Sequence, residues 1–328
     1  MRGMKAIVCK ELGPPSSLVF EEVPDPQAGP GQVVIDVKAA GVNFPDVLIV
    51  QGLYQFKPPL PFSPGHEVAG VVRSIGDGVT TLKPGDRVIA VVGYGGFAEQ
   101  FAVEAARCLP MPGAMDYPTG AGFVLAHSTS HYALRDRAKL QPGETLLVLG
   151  AAGGVGLAAV EIGVAMGARV IAAASTDEKL AVCRERGAAE AINYETEDLR
   201  VRVKELTGGN GVDVCYDPVG GGYAEPAVRS MAWDGRYLVV GFAAGEIPKI
   251  PLNLLLLKSC NLQGVFWGAF TARDPGRFAE LMRELLGWWA EGKIVPLVSQ
   301  TYPLGRAADA LQDVANRKVR GKAVLLVE

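Results

Sequence analysis

Paired cysteines, charge blocks and long apolar runs are all missing from this 328-residue sequence, and each absence closes off a class of protein. The five cysteines (Cys9, Cys108, Cys183, Cys215 and Cys260) are odd in number and far apart, and none forms C-x-x-C. That spacing argues against a disulfide framework or a structural zinc site, and it fits reduced thiols in a cytoplasmic protein. No lysine or arginine block stands out and the net charge is -3, so neither nucleic acid nor a membrane surface is an expected partner. The leucine-rich residues 252–257 are too few to span a bilayer. Residues 1–4 run straight into a strand-like segment at 5–9, with no apolar signal region.

What is present is ordinary globular material, 49% hydrophobic and 20% charged. The length exceeds what one core usually serves, so two domains are expected. The first 120 residues are rich in proline and glycine. Short apolar or alternating runs such as 32–38, 68–75 and 87–92 are separated by turns including Gly29-Pro30-Gly31 and Lys83-Pro84-Gly85-Asp86, which predicts a compact β domain. From about Ala121 strands alternate with helices, the signature of a doubly wound parallel sheet. Strands are predicted at 145–150, 169–174, 191–194, 212–217, 236–241 and 261–265, matching a complete Rossmann sheet. A tail with a helix at 276–287, a strand at 295–302, a helix at 307–316 and a strand at 323–327 is expected to rejoin the N-terminal domain. The expected division is 1–121 with 268–328, and 122–267.

The most informative stretch is residues 145–179. A buried strand leads into Ala151-Ala152-Gly153-Gly154-Val155-Gly156, then an almost wholly apolar helix, then a second strand. Against G-x-G-x-x-G the first position is alanine. Gly153 lets backbone approach a pyrophosphate, and Gly156 lets the helix pack closely on the strand. The turn and the positive helix end suit a dinucleotide. The second strand ends Ala172-Ala173-Ala174-Ser175, without the carboxylate that accepts a plain ribose. Ser175, Lys179 and Tyr194 supply donors for a 2′-phosphate instead, which points to NADPH. Two competing readings stay open: residues 175–178 also fit a helix capping box, and Asp177 could turn inward to a plain ribose. Strand ends at Val219, at Gly241 and Phe242, and at Phe266, Trp267 and Gly268 suit a nicotinamide ring, although Phe266 and Trp267 fit core or dimer packing equally well.

Two N-terminal segments complete a pattern: residues 41–46 (GVNFPD) running on to Gly52-Leu53-Tyr54, and residues 64–70 (PGHEVAG). Together with KPGDRV at 83–88, the AAGGVG turn and the final strand 321–327, they resemble the medium-chain dehydrogenase/reductase superfamily, nearest its zinc-free quinone oxidoreductase (zeta-crystallin-like) branch. The resemblance spans essentially the whole chain. It implies a discontinuous, β-rich GroES-like catalytic domain beside the Rossmann domain, a homodimer paired through the 261–265 edge strand, and a small-molecule electrophile as substrate.

The resemblance also bears on metal. The zinc-dependent branch has cysteines at the positions of Asn43 and near Ala126, and a histidine matching His66. Only His66 is present here, and catalytic zinc needs three protein ligands, so no metal is expected. The resemblance puts Asn43 near the nicotinamide and Tyr54 near the substrate, either one a donor to the oxygen that gains charge. Many relatives have tyrosine where this chain has Leu48, leaving Tyr54 the main phenolic candidate. Thr129 lies where the family places a cofactor-contacting hydroxyl. His127 and His131, nearby, read more readily as hydrogen-bonding residues at a helix end than as proton donors. The expected activity is hydride transfer from NADPH to a quinone. The alternatives are reduction of an α,β-unsaturated carbonyl or thioester, a non-catalytic NADPH-binding protein, and a zinc alcohol dehydrogenase.

Overall fold

Short runs of β-branched residues between glycine and proline turns build the first part of the chain. The computed structural model describes residues 3–328, so two residues of the N-terminal run lie outside the described residues. The chain forms two compact units, Met1–Leu125 with Pro296–Glu328, and Ala126–Val295.

In the first unit, β1 (Gly3–Val8) and β2 (Val19–Pro24) pair antiparallel. β3 (Gln32–Val42), α1 (Phe44–Val50), β4 (Glu67–Ile75), β5 (Arg87–Val91), β6 (Gln100–Glu104), β7 (Cys108–Pro110) and α2 (Tyr117–Ala121) follow. β3 is the spine. Val33, Val34, Ile35 and Val37 are fully buried in it, each burial contributing about 1.5–3 kcal/mol. Pro45 at the start of α1 sits where a missing N–H costs nothing.

The second unit opens with α3 (Val124–His131), which widens into a π-helical turn over Tyr132–Arg137. Next come β8 (Thr145–Leu149), α4 (Gly154–Ala165), β9 (Arg169–Ala174), α5 (Asp177–Glu185), β10 (Glu190–Asn193), α6 (Leu199–Leu206) and β11 (Val212–Asp217). α7 (Ala224–Arg229), β12 (Met231–Val239), α8 (Asn253–Lys258), β13 (Asn261–Gly264), α9 (Trp267–Arg273) and α10 (Pro275–Ala290) complete it. Six strands run parallel in the order β10-β9-β8-β11-β12-β13. That is the Rossmann order, and its ligand crevice opens where the order reverses, between β8 and β11.

The tail supplies β14 (Val298–Pro303), α11 (Ala307–Ala315) and β15 (Lys322–Leu326). β15 lies antiparallel to β3, with Ala323 opposite Val42, in a sheet ordered β14-β15-β3-β4-β5-β7 with β6 also on β3. The tail therefore rejoins the first unit, but later than expected: the second crossing falls after Val295, not at 267/268. α9 and α10 stay with the second unit because ion pairs hold α10 to the π turn and its flank. Arg277 grips Asp136 at 2.6 and 3.1 Å, and Glu284 meets His131 at 3.1 Å and Arg135 at 3.0 Å. Those partners are some 140 residues apart, so local sequence gives no sign of them.

Candidate active site

The dinucleotide turn is built mainly from backbone. Gly150, expected as the last residue of its strand, instead turns the chain with φ +58°, a left-handed conformation that suits glycine. The tight-turn glycine is thus Gly150, one residue ahead of the alanine matched to the motif's first position. A Cβ on Gly156 would lie 2.2 Å from the Gly150 carbonyl oxygen, so only glycine lets α4 approach β8 this closely. A Cβ on Gly153 would meet nothing nearer than that same oxygen at 3.4 Å, leaving open space beside the turn. Gly153 caps α4 without a side chain, and the first-turn N–H groups of Gly154, Val155 and Gly156 begin the helix there. An uncapped helix start with open space beside it is a fit for a pyrophosphate.

α3 is tied to this turn. Ser130 Oγ donates to the Val155 carbonyl at 2.8 Å and lies 2.9 Å from the buried Tyr216 hydroxyl. Thr129 is buried beside it in the same helix. His127 pairs with Glu161, a buried carboxylate on the apolar α4, at 3.2 Å, and His131 pairs with Glu284. Both histidines are thus in hydrogen-bonded pairs.

At the end of β9, Lys179 Nζ donates to Ser175 Oγ at 3.0 Å, placing an ammonium and a hydroxyl side by side. The helix cap is Thr176, whose hydroxyl accepts from Lys179 N at 3.3 Å, so the capping box read from Ser175 does not form and Ser175 stays with Lys179. Asp177 does not point a free carboxylate at this pair: Oδ1 accepts from Asn193 Nδ2 at 3.0 Å. Tyr194 lies against Tyr223, ring centroids 4.3 Å apart, and the Tyr223 hydroxyl donates to Glu195 at 2.6 Å.

The loop after β11 is shaped by a residue that sequence reasoning treated only as a strand end. Buried Asp217 accepts from the backbone N–H of Val219 at 2.7 Å and of Gly220 at 2.8 Å, and from the Tyr237 hydroxyl. Burial pushes its carboxyl above the usual range, while those three donors pull it back. Gly241 passes close to this loop, a Cβ there lying 3.3 Å from the Pro218 oxygen. Phe242 and Phe266 are exposed, and Trp267 sets its ring edge-on to Phe278 with its indole N–H buried and unpartnered. Gly268 falls inside α9, beyond the end of its strand.

In the first unit, the side chains after β3 form a saturated buried network. Both Asn43 amide hydrogens are engaged inside the protein, donating to Glu67 Oε1 at 3.0 Å and to the Gly41 carbonyl at 3.3 Å. Its amide oxygen accepts from Lys322, which also donates to Glu67 at 2.9 Å and to the Val42 carbonyl at 3.2 Å. Glu67 receives a further bond from Leu125 N at 2.9 Å. Asn43 therefore has no spare hydrogen for a substrate oxygen. Asp46 accepts from Asn43 N, Gly65 N and His66 Nδ1 at 2.8, 3.0 and 2.6 Å. Tyr54 meets the His66 ring edge-on at 5.8 Å. Burial, and then the nearby Asp46 charge, raise its phenol above the ordinary value.

These donors do not fit zinc. His66 Nδ1 is bonded to Asp46, Glu67 faces an ammonium, and the remaining positions carry Asn43 and Ala126. Among the described residues no three His, Cys, Asp or Glu side chains converge. Cys108, the one cysteine in its region, is buried with its thiol pushed up to about 12.

Comparison with known proteins agrees with this geometry. Residues 29–113 match the alcohol dehydrogenase GroES-like domain, and residues 154–287 match a family described as zinc-binding dehydrogenase. Rat quinone oxidoreductase-like protein 2 is 40% identical over 325 residues, covering 99% of this chain and 92% of the relative. The NADPH complex of Escherichia coli quinone oxidoreductase superposes with a TM-score of 0.92 at 32% identity, covering 98% of this chain and 99% of that one. A probable oxidoreductase from Mycobacterium abscessus gives 0.90 at 42%, with 99% of each chain covered. No helix among the described residues is long and apolar enough to cross a membrane. Likeness carried over almost the full length, through both units, makes this chain a member of the quinone oxidoreductase-like family of medium-chain dehydrogenases/reductases.

Proposed function

We propose that this protein is an NADPH-dependent oxidoreductase that reduces a quinone without a metal ion. The observation that carries the reading is the Ser175–Lys179 pair at the end of β9, with Asp177 bonded to Asn193. A hydroxyl and an ammonium meet a 2′-phosphate, whereas a plain ribose wants a carboxylate. Names of relatives support the acceptor class: quinone oxidoreductases, one of them bound to NADPH.

NADPH supplies the hydride when bound. The N–H groups of Gly154, Val155 and Gly156 would hold its pyrophosphate, and Ser175, Lys179 and Tyr194 its 2′-phosphate. The backbone at Val219, held by Asp217, and at Gly241 would lie against its nicotinamide. Hydride transfer (two electrons and one proton) would convert a quinone to its hydroquinone monoanion, and one further proton from solvent would neutralise the phenolate oxygen to give the hydroquinone. Aromatisation makes that charge easy to carry, so a single neutral donor suffices. Tyr54 is that donor, its phenol protonated at neutral pH as an ordinary tyrosine is. Asn43 acts as a scaffold for its loop.

The protein also works as a homodimer in this reading. β13 is an outer strand of its sheet, and near it Leu252, Leu256 and Leu257 are 74, 79 and 65% exposed. Open strand edges and apolar patches of this kind seek a partner. Sedimentation velocity at micromolar protein is expected to give twice the 34.6 kDa chain mass, and a single-chain species would refute the dimer.

Steady-state NADPH oxidation with 1,4-benzoquinone, 2-hexenal and crotonyl-CoA, with zinc analysis of the same preparation, tests the function. Turnover of benzoquinone at negligible zinc is the expected result. Turnover confined to hexenal or crotonyl-CoA would replace it with an enone or thioester reductase. Tight NADPH binding with no acceptor would mark a binding protein, and stoichiometric zinc with chelator-sensitive turnover a zinc dehydrogenase.

A further inference from the structure

An acidic residue stands between the two side chains proposed to hold the cofactor's extra phosphate: Ser175, Asp177 and Lys179 alternate along the chain at the start of α5. A mobile carboxylate there would compete with the 2′-phosphate for Lys179 and repel it. What holds Asp177 is Asn193, the buried last residue of β10, which lies opposite Ala174 of β9 in the parallel ladder. Its Nδ2 donates to Asp177 Oδ1 at 3.0 Å, while its Oδ1 accepts from Glu195 N at 3.2 Å. The second bond fixes the amide's orientation, because only the oxygen can accept from that N–H, and so the NH2 faces Asp177.

Two acids that follow Asn193 are bound as well. Glu197 accepts from Asn193 N at 2.8 Å and pairs with Arg202 at 2.6 Å, and Glu195 accepts from the Tyr223 hydroxyl. Asn193 thus bonds to all three residues, to Glu195 through that residue's backbone N–H, and its side-chain amide holds the one flanked by Ser175 and Lys179. We propose that Asn193 is a specificity-determining positioning residue: by holding Asp177 in a hydrogen bond, it keeps that carboxylate from competing with a 2′-phosphorylated dinucleotide for the Ser175–Lys179 pair. The inference rests on the NADPH reading above.

Fluorescence titration of the purified protein with NADPH and with NADH provides the test. Asn193→Ser keeps a hydroxyl that can serve Glu195 N but lacks the reach to Asp177. It is expected to raise the NADPH Kd about tenfold and move the NADH Kd by less than about twofold. In an Asp177→Ala background the same substitution is expected to leave the NADPH Kd unchanged. Equal weakening of both cofactors, or a tenfold effect that survives in the Asp177→Ala background, would overturn the proposal. If Asn193 variants do not fold, Asp177→Glu on the exposed helix start serves instead. Its longer carboxylate no longer matches the 3.0 Å bond, and an unchanged NADPH-to-NADH ratio would overturn the proposal equally. Lys179→Ala separates the two layers of argument. If it fails to discriminate the cofactors, the phosphate reading itself falls; if it discriminates and Asn193→Ser does not, only the role of Asn193 falls.

Discussion

The two units build their sites in opposite ways. In Ala126–Val295 the dinucleotide turn is made of backbone and empty space: three glycines shape it, and no side chain caps the helix start. In the first unit the corresponding ground is crowded with buried polar groups, Asn43, Asp46, His66, Glu67 and Lys322, each bonded to another. A site of backbone N–H groups leaves its donors for a ligand. A site of saturated side chains leaves almost none, which is why the proposed donor is a residue outside that network, Tyr54. The lesson is that burial of polar residues marks a scaffold when their bonds are all internal, and a binding surface when some remain unmade.

That contrast can be broken by substitution, and the largest effect is expected on the backbone side. Gly153→Val fills the open space beside the turn and should abolish measurable binding of NADPH and NADH alike in fluorescence titration; retained binding would show that the pyrophosphate lies elsewhere. On the side-chain side, Lys322→Met leaves Glu67 buried without its cation. Such losses cost about 3–5 kcal/mol, so a large fall in the urea midpoint is expected, with NADPH affinity in the surviving folded protein little changed. A fall in cofactor affinity instead would mean the network is not the scaffold described.

Smaller effects sharpen the picture. Lys179→Ala should weaken NADPH roughly 30-fold, the scale of a charge-assisted bond, and NADH hardly at all. Tyr54→Phe should lower kcat/KM for benzoquinone about tenfold with unchanged NADPH Kd, because the donor serves only the developing oxygen charge. Unchanged kinetics would reduce Tyr54 to packing against His66. The smallest effect concerns the thiols. Cys108 and Cys183 are pushed up to about 12 by burial, from an ordinary value of 9.0. The folded protein holds these protons more tightly than the unfolded chain, so stability is complete below about pH 9 and declines as pH rises toward about 12. Thermal melts should show a lower Tm at pH 10 than at pH 8, and a thiol reagent at pH 8 should react slowly until the protein unfolds.

Much of this was readable in the order of residues. All six Rossmann strands fall within a few residues of their expected places, because buried parallel strands read as apolar runs between glycine turns. The unexpected features share one cause. Asn43 was expected near the nicotinamide as a donor to the reacting oxygen, but its partner Lys322 lies 279 positions away, delivered by a strand pairing that no local pattern announces. Asp217 looked like a strand end and Asn193 was not singled out, and their roles appear only when folding brings Tyr237 and Asp177 to them. The division of units moved to Val295 for the same reason, since α10 is held by partners on the turn after α3.

The linear sequence by itself determined the two-unit plan, the parallel sheet and the glycine turn, because periodicity, turn chemistry and close backbone approach are local properties of a chain. Only the tertiary structure decided which polar groups remain available and which are already satisfied. Hydrogen bonds in a buried network are allotted among residues that meet only after folding, and a donor engaged by one partner is withheld from every other.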